Sequence, residues 1–387
     1  MIMAGKHLVL FGAGMTGRGQ VAQLAFEDGW QLTFVDKNSA LVQALRTAGK
    51  YTVHLLSEQP RDVLIDRFAI YHTSETERIA QAVNQADLVV TSVLEPNLPD
   101  VGRQLAGALT FRFLNQNYSP LNIIAAENMN NSSSRLKSYV LGNLDRAWHD
   151  SLEEMIGFPD SMIARVVPVA VDPLHIYAEA FSEWTADLNA VKGTPPLLNG
   201  LEWITNQTAR LQRKLYIHNT GHAVCGYLGW LKGYTYIHEA AQDPEIMARI
   251  SAAISESGKA VSMEHGFTLM GIEAYEENLK ERLVISALPD DIRRVIRQPI
   301  RKLGKEERFL GPLILCEKYN LPRSGLCYGI AAALNCRMPG DIQFERMAES
   351  VDRWGPIGAL AELVDFQPDE ISAKEIFKAY HSFNGTR

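Results

Sequence analysis

The stretch VLFGAGMTGRG places Gly12, Gly14 and Gly17 between an apolar run, HLVLF, and a helical pattern, RGQVAQLAFEDGW. Few folds accept a strand that ends in this spacing and passes at once into a helix. The first glycine permits a tight turn. The second lets backbone amides approach a pyrophosphate, and the third lets the helix pack close to the strand. The helix N-terminus adds partial positive charge at the same spot. A second run, QLTFVD, ends in Asp36, nineteen residues beyond Gly17. An acidic side chain there accepts hydrogen bonds from ribose hydroxyls and repels a 2′-phosphate. The pattern predicts a dinucleotide site that prefers NAD to NADP, although Lys37 beside Asp36 weakens that preference slightly. Gly12, Gly14, Met15, Thr16, Gly17 and Asp36 are its expected cofactor-binding residues, with Val93 from a later strand end. A ligand-free glycine turn and a flavin site compete with this reading, but no second dinucleotide signature supports the flavin.

The first third of the chain alternates short apolar runs with amphipathic stretches. HLVLFGAG (7–14), QLTFVD (31–36), ADLVVTSV (86–93) and LNIIAAEN (121–128) read as buried parallel strands that end in Gly, Asp or Asn. ARVVPVAVD (164–172) and HIYAEAFSEWTAD (175–187) read as further strands, the second as an antiparallel extension of the same sheet. LNAVKGTPPLLNG (188–200) is Pro/Gly-rich and reads as a link. Beyond it the chain reads as helices: 203–232, 234–241, 243–265, 268–280, 289–297, 306–319, 324–335, 341–353, 355–364 and 372–381. The expected architecture is α/β: a Rossmann-type doubly wound sheet with antiparallel extension over 1–195, then a mainly helical domain over 196–387.

Composition removes several function classes. The net charge of −7 argues against nucleic-acid binding and requires a local basic cluster for any anionic substrate. No run of eighteen apolar residues suggests a membrane span. MIMAGK leads straight into an apolar strand, which leaves no room for a signal peptide, so a cytoplasmic protein is expected. Cys225, Cys316, Cys327 and Cys336 show no metal-ligand spacing and read as reduced, buried thiols. The expected partner is a small molecule, and the chain itself a monomer or small homo-oligomer.

Chemistry concentrates in RKLYIHNTGH, residues 213–222. On an ideal helix with Lys214 at zero, Asn219 falls near about 140°, His222 near about 80° and His218 near about 40°. Lys214, Asn219 and His222 share one face, which His218 could join, of a helix whose other faces carry Leu211, Leu215, Ile217, Val224, Leu228 and Trp230. A solvated polar stripe is the competing reading. Against it stand the apolar surroundings and Gly221, which removes side-chain bulk where a ligand would approach. Alcohol oxidation without a metal needs these groups. Hydride leaves a carbinol carbon only as its hydroxyl loses a proton, so a base and an oxyanion donor are required. A buried lysine can be the base, because desolvation favours its neutral amine. An asparagine amide can donate to the oxyanion, and a histidine can orient the substrate. No HExxH or Cys/His ligand set suggests metal catalysis.

With its Lys-x4-Asn-x2-His spacing, RKLYIHNTGHA resembles the polyol-specific long-chain dehydrogenases. FGAG..GRG, SPLNIIAAENM (119–129), FSEW (181–184), NTGHA and RQPIRKL....R...P (297–312) follow in the order seen in the mannitol-1-phosphate 5-dehydrogenase branch. The resemblance covers essentially the whole chain. It implies NAD, a Rossmann domain, a helical C-terminal domain and metal-independent hydride transfer. It also implies Lys214 as general base, Asn219 and Asn128 as oxyanion donors, and His222 as an orienting or substrate-binding residue. Asn128 closes a strand at its C-terminal end, where such sheets take ligands. RRVIRQPIRKLGKEER (293–308) is the basic run that a sugar phosphate needs, with Arg297, Arg301 and Lys302 as candidates. The expected reaction joins a hexitol phosphate to a ketose phosphate, mannitol 1-phosphate with fructose 6-phosphate in its most concrete form. A non-phosphorylated polyol or sugar acid is the alternative substrate. Relatives carry an Asp-Arg pair where this chain has Ala164-Arg165, which admits a catalytically weak NAD-binding protein as a further alternative.

Overall fold

A computed structural model describes residues 6–57, 59–127, 129–287 and 289–384, and divides the chain into two compact units, one ending at Gln207 and the other beginning at Thr208. In the first unit six parallel strands lie in the order Phe68–His72, Gln31–Asp36, His7–Phe11, Leu88–Thr91, Leu121–Ala125, Ile156–Gly157. Numbered along the chain, this is the doubly wound order 3-2-1-4-5-6. Leu8 and Leu10 join one apolar core and Val9 and Phe11 another, because successive side chains point to opposite faces of a sheet. Both faces are covered, so the strands read as unbroken apolar runs. The order reverses between His7–Phe11 and Leu88–Thr91. The loops that follow those two strands therefore rise side by side at the sheet's C-terminal edge.

The antiparallel extension is not part of this sheet. Ser161–Ala164 and Glu183–Asp187 do pair antiparallel, but in a separate three-stranded sheet with Glu202–Ile204. His175–Glu179 pairs parallel with Tyr51–Leu56 in another, completed by Arg61–Ile65. Residues 165–174 form no strand. Pro168 has no amide to give to a ladder, and Val169 and Val171 are exposed, so this apolar run lacks a partner surface.

The second unit is helical. Its core gathers Ile217, Val224, Ile250, Ile254, Leu313 and Ile330 from the helices Asn219–Leu231, Pro244–His265, Leu310–Lys318 and Ser324–Asn335 and the turn before them. Asp243 caps Pro244–His265 by accepting the amides of Glu245 and Ile246, and Gly266 ends it in the left-handed region at φ 74°. The expected break near 354 is present: Gly355, at φ 71° and ψ 175°, interrupts Ile342–Val364. The helix expected over 203–232 is not uniform. Residues Glu202–Ile204 are strand, Gln207–Arg213 is α-helical, Lys214–His218 is a π turn, and Asn219–Leu231 is α-helical again. Among the described residues no helix is long and apolar enough to cross a membrane.

Candidate active site

The glycine loop of the first unit is built against the loop beside it. Gly12 has φ +95°, and a Cβ there would lie 2.2 Å from the Ser92 carbonyl oxygen and 2.9 Å from Val93 Cγ1. Only glycine fits this turn. Gly14 faces open space where a side chain would stand, the cradle that a pyrophosphate needs. Met15 packs partly buried against the core, and Thr16 opens the π turn Gly17–Ala22 without a side-chain capping bond. Asp36 Oδ2 accepts the Ala13 amide at 2.7 Å and Oδ1 accepts the Asn38 amide at 2.8 Å. Each carboxylate oxygen keeps a lone pair for a ribose hydroxyl. Lys37 donates to Asn97 at 2.7 Å, which ties its ammonium to a neutral partner.

Two groups missed in the sequence shape this edge. Arg18 is wholly buried; its Nε donates to the Ala13 carbonyl at 2.6 Å, its Nη1 donates to the Pro173 carbonyl, and its guanidinium lies over the Tyr51 ring at 5.4 Å. It holds the loop from beneath, and the arginine between Gly17 and Gly19 was the available signal. Glu127 is buried at the end of Leu121–Ala125 and accepts the Val93 amide at 2.7 Å, the Leu94 amide at 3.0 Å and the Thr91 hydroxyl at 3.2 Å. Burial pushes its carboxyl up, and those three bonds pull the other way. It fixes Leu94 at φ 70°, a strained conformation for leucine. In AAEN the sequence singles out Asn128, which lies outside the described residues, while its neighbour Glu127 sets the loop. A separate cleft of about 520 Å³, lined by Lys6, Asp87, Arg112 and Asn122 among others, lies at the opposite strand ends and is not the dinucleotide edge.

In the second unit the π turn sharpens the Lys214 face. The Asn219 amide donates to the Lys214 carbonyl, five residues back rather than four. Five residues then complete what four complete in an α-helix. Asn219 moves to about 40° from Lys214 instead of about 140°, and His222 to within about 20°. Lys214 is 8% exposed. Asn219 is half-buried beside it. His222 Nε2 lies 3.0 Å from Asp290 Oδ2, and the His218 ring stands edge-on to the His222 ring at 6.1 Å between centroids. Burial, then the charges of Arg282, His222, Lys214 and Arg308, hold His218 neutral well below its usual range. Gly221, expected to make room for a ligand, serves packing instead: a Cβ there would meet Ile254 Cγ2 at 2.8 Å and Leu279 Cδ2 at 2.9 Å.

The basic run divides on folding. Arg297 is exposed. Arg301 is exposed too, but pairs with Glu307 at 2.7 Å. Lys302 is buried and donates to the Val295 carbonyl; burial, then Arg308 and Arg301, bring its ammonium down to about 7. Arg308, also held by Glu307 at 3.0 Å, belongs to the charge cluster around His218. Ala164 is buried at a strand end. Arg165 after it donates to the carbonyls of Gly19 at 2.8 Å and Phe181 at 3.0 Å and to Gln23 at 2.6 Å, a structural tie to the helix behind the glycine loop. Among the described residues no group of three or more His, Cys, Asp or Glu side chains is arranged to hold a metal ion.

The sheet order and the glycine loop define a dinucleotide-binding protein of the Rossmann type. Residues 6–200 match the family description "Mannitol dehydrogenase Rossmann domain" and residues 209–364 match "Mannitol dehydrogenase C-terminal domain". The chain belongs to the mannitol dehydrogenase family of NAD-dependent polyol dehydrogenases. Among solved structures it is similar to Pseudomonas fluorescens mannitol 2-dehydrogenase in ternary complex with NAD and D-mannitol, at TM-score 0.75 and 16% identity over 99% of this chain and 93% of that one. It is also similar to D-sorbitol dehydrogenase in substrate-free form, at TM-score 0.79 and 16% identity over 99% of this chain and 94% of the other. At that identity the likeness shows the fold.

Proposed function

We propose that the protein interconverts a hexitol phosphate and a ketose phosphate, mannitol 1-phosphate and fructose 6-phosphate being the best-fitting pair, with Lys214 as general base. The observation that supports the phosphate is the placing of Arg282 and Arg308 with Lys214 around the neutral His218, in a chain of net charge −7. NAD, when bound, accepts the hydride from the carbinol carbon. Gly12, Gly14, Met15, Thr16 and Gly17 would hold its pyrophosphate, Asp36 its ribose, and Val93 would line the adjoining loop. Lys214 removes the hydroxyl proton from a place that water scarcely reaches. The Asn219 amide donates to the developing oxyanion, and Asn128 is the second expected donor. His222 orients the substrate. For the phosphate, Arg308 and Arg297 are better supported than Lys302, whose ammonium is spent on Val295.

The pairing of Arg301 with Glu307 and the burial of Lys302 favour a second reading, a free hexitol. It agrees with the names of the mannitol and sorbitol enzymes of like fold. Steady-state NADH formation separates the two. The phosphate reading expects kcat/KM for mannitol 1-phosphate to exceed that for D-mannitol by about tenfold or more, the worth of one charged hydrogen bond. A higher value for D-mannitol establishes the second reading.

A further inference from the structure

Behind His222 stands a carboxylate that is itself gripped. Asp290 is 9% exposed and faces His222 Nε2 through Oδ2 at 3.0 Å. Arg294 closes on it with two bonds, Nε to Oδ1 at 2.7 Å and Nη2 to Oδ2 at 2.6 Å. Such a fork sets the plane of the carboxylate as well as its position. The backbone is held too. The Asp290 carbonyl accepts the Ile237 amide at 3.0 Å, and Asp291 caps the short helix Ile292–Ile296 that carries Arg294. Burial opposes the charge on Asp290, but the His222 bond and the Arg294 guanidinium outweigh it and keep the carboxyl below its usual range.

An ionised carboxylate only accepts hydrogen bonds. The nitrogen facing it must carry a hydrogen, in the neutral ring as in the charged one. In the neutral ring Nδ1 is then the His222 nitrogen left to accept, and about a fifth of the side chain, 19%, stays exposed. His218 offers no replacement: it is neutral, and its own Nδ1 is buried without a partner.

We propose that Asp290, clamped by Arg294, is a positioning residue that fixes His222 in the Nε2–H tautomer, so that Nδ1 accepts a hydrogen bond from a substrate hydroxyl. This rests on the reading of the Lys214 turn as the site of polyol oxidation. Neither residue belongs to the Lys-x4-Asn-x2-His spacing, and Asp290 lies far along the chain from His222. The consequence is directional: His222 orders a hydroxyl, a donor, and has no hydrogen to offer a carbonyl from Nδ1.

Nitrogen-15 NMR of the full-length protein labelled at histidine tests this, with His222→Gln to assign the signal. The expected wild-type state is Nε2–H, lost in Asp290→Ala and kept in Asp290→Asn, which retains an oxygen acceptor. In parallel, kcat/KM for the polyol falls about a hundredfold in Asp290→Ala, as for a reacting group displaced by about an ångström, and stays within about tenfold in Asp290→Asn. NADH affinity is unchanged in both. An Nδ1–H tautomer in the wild type, or an Asp290→Ala variant with wild-type tautomer and kcat/KM, overturns the proposal. If Asp290→Ala does not fold, Asp290→Leu removes the acceptor while filling its space; a wild-type tautomer and kcat/KM there overturn the proposal equally. A wild type that oxidises no polyol would instead defeat the functional reading, and the NMR signal would still report the Asp290–His222 arrangement.

Discussion

Lys214 and Lys302 show how differently two buried lysines in one unit can behave. Lys214→Ala should lower turnover by about 10²- to 10⁴-fold, the usual worth of a general base, and leave NADH binding intact; near-full activity would remove Lys214 from the role. Lys302 is a matter of stability. Its folded-state value of about 7 lies below the value of about 10.4 for an unfolded lysine. Between the two the unfolded chain holds a proton that the folded chain lacks, so this group's contribution to stability rises with pH from about 7 to about 10. Below about 7 the full penalty applies. Lys302→Met should gain on the order of a few kcal/mol over wild type at about pH 6, and lose that gain by about pH 10, where the unsatisfied Val295 carbonyl makes it slightly unfavourable. Urea denaturation of both proteins across this range measures the difference, and a difference independent of pH would contradict the assignment. The sequence could not separate Lys302 from Arg297. A run of basic letters does not show which ammonium is turned inward, nor that Glu307, inside the same run, engages both Arg301 and Arg308.

At the scale of elements, the strand–loop–helix at the start was legible because every local requirement points one way: apolar strand, three glycines, helix and Asp36. The π turn was not. No residue in KLYIH announces an extra residue per turn, and ideal spacing put Asn219 too far round the helix. The angles read for Lys214, Asn219 and His222 were wrong because one inserted residue rotates everything after it. Gly221 was misread for a similar reason: a missing side chain looks the same in sequence whether a ligand or Ile254 fills the space. The loop after Leu88–Thr91 depends on a side chain that sequence passed over. Glu127→Ala removes the acceptor of the Val93 and Leu94 amides and should weaken NADH binding about tenfold, the worth of one to two hydrogen bonds. Fluorescence titration reads this directly, and an unchanged affinity would mean that the loop holds its shape without Glu127.

For the molecule as a whole, the two-unit plan and the helical second half follow from a change in apolar period that any reading of the chain detects. The small sheets did not, since pairing Tyr51–Leu56 with His175–Glu179 spans more than a hundred residues and leaves no local mark. Fold and family establish a polyol dehydrogenase; its substrate depends on a few charged side chains around Lys214 and their pairing. The most direct measurement is the initial rate of NADH formation by the purified protein with mannitol 1-phosphate, D-mannitol and D-sorbitol, wild type beside Lys214→Ala. NADH should form with at least one hexitol, fastest with the phosphate, and its formation should be lost in the variant. No NADH from any of them, or equal rates in both proteins, would contradict this reading.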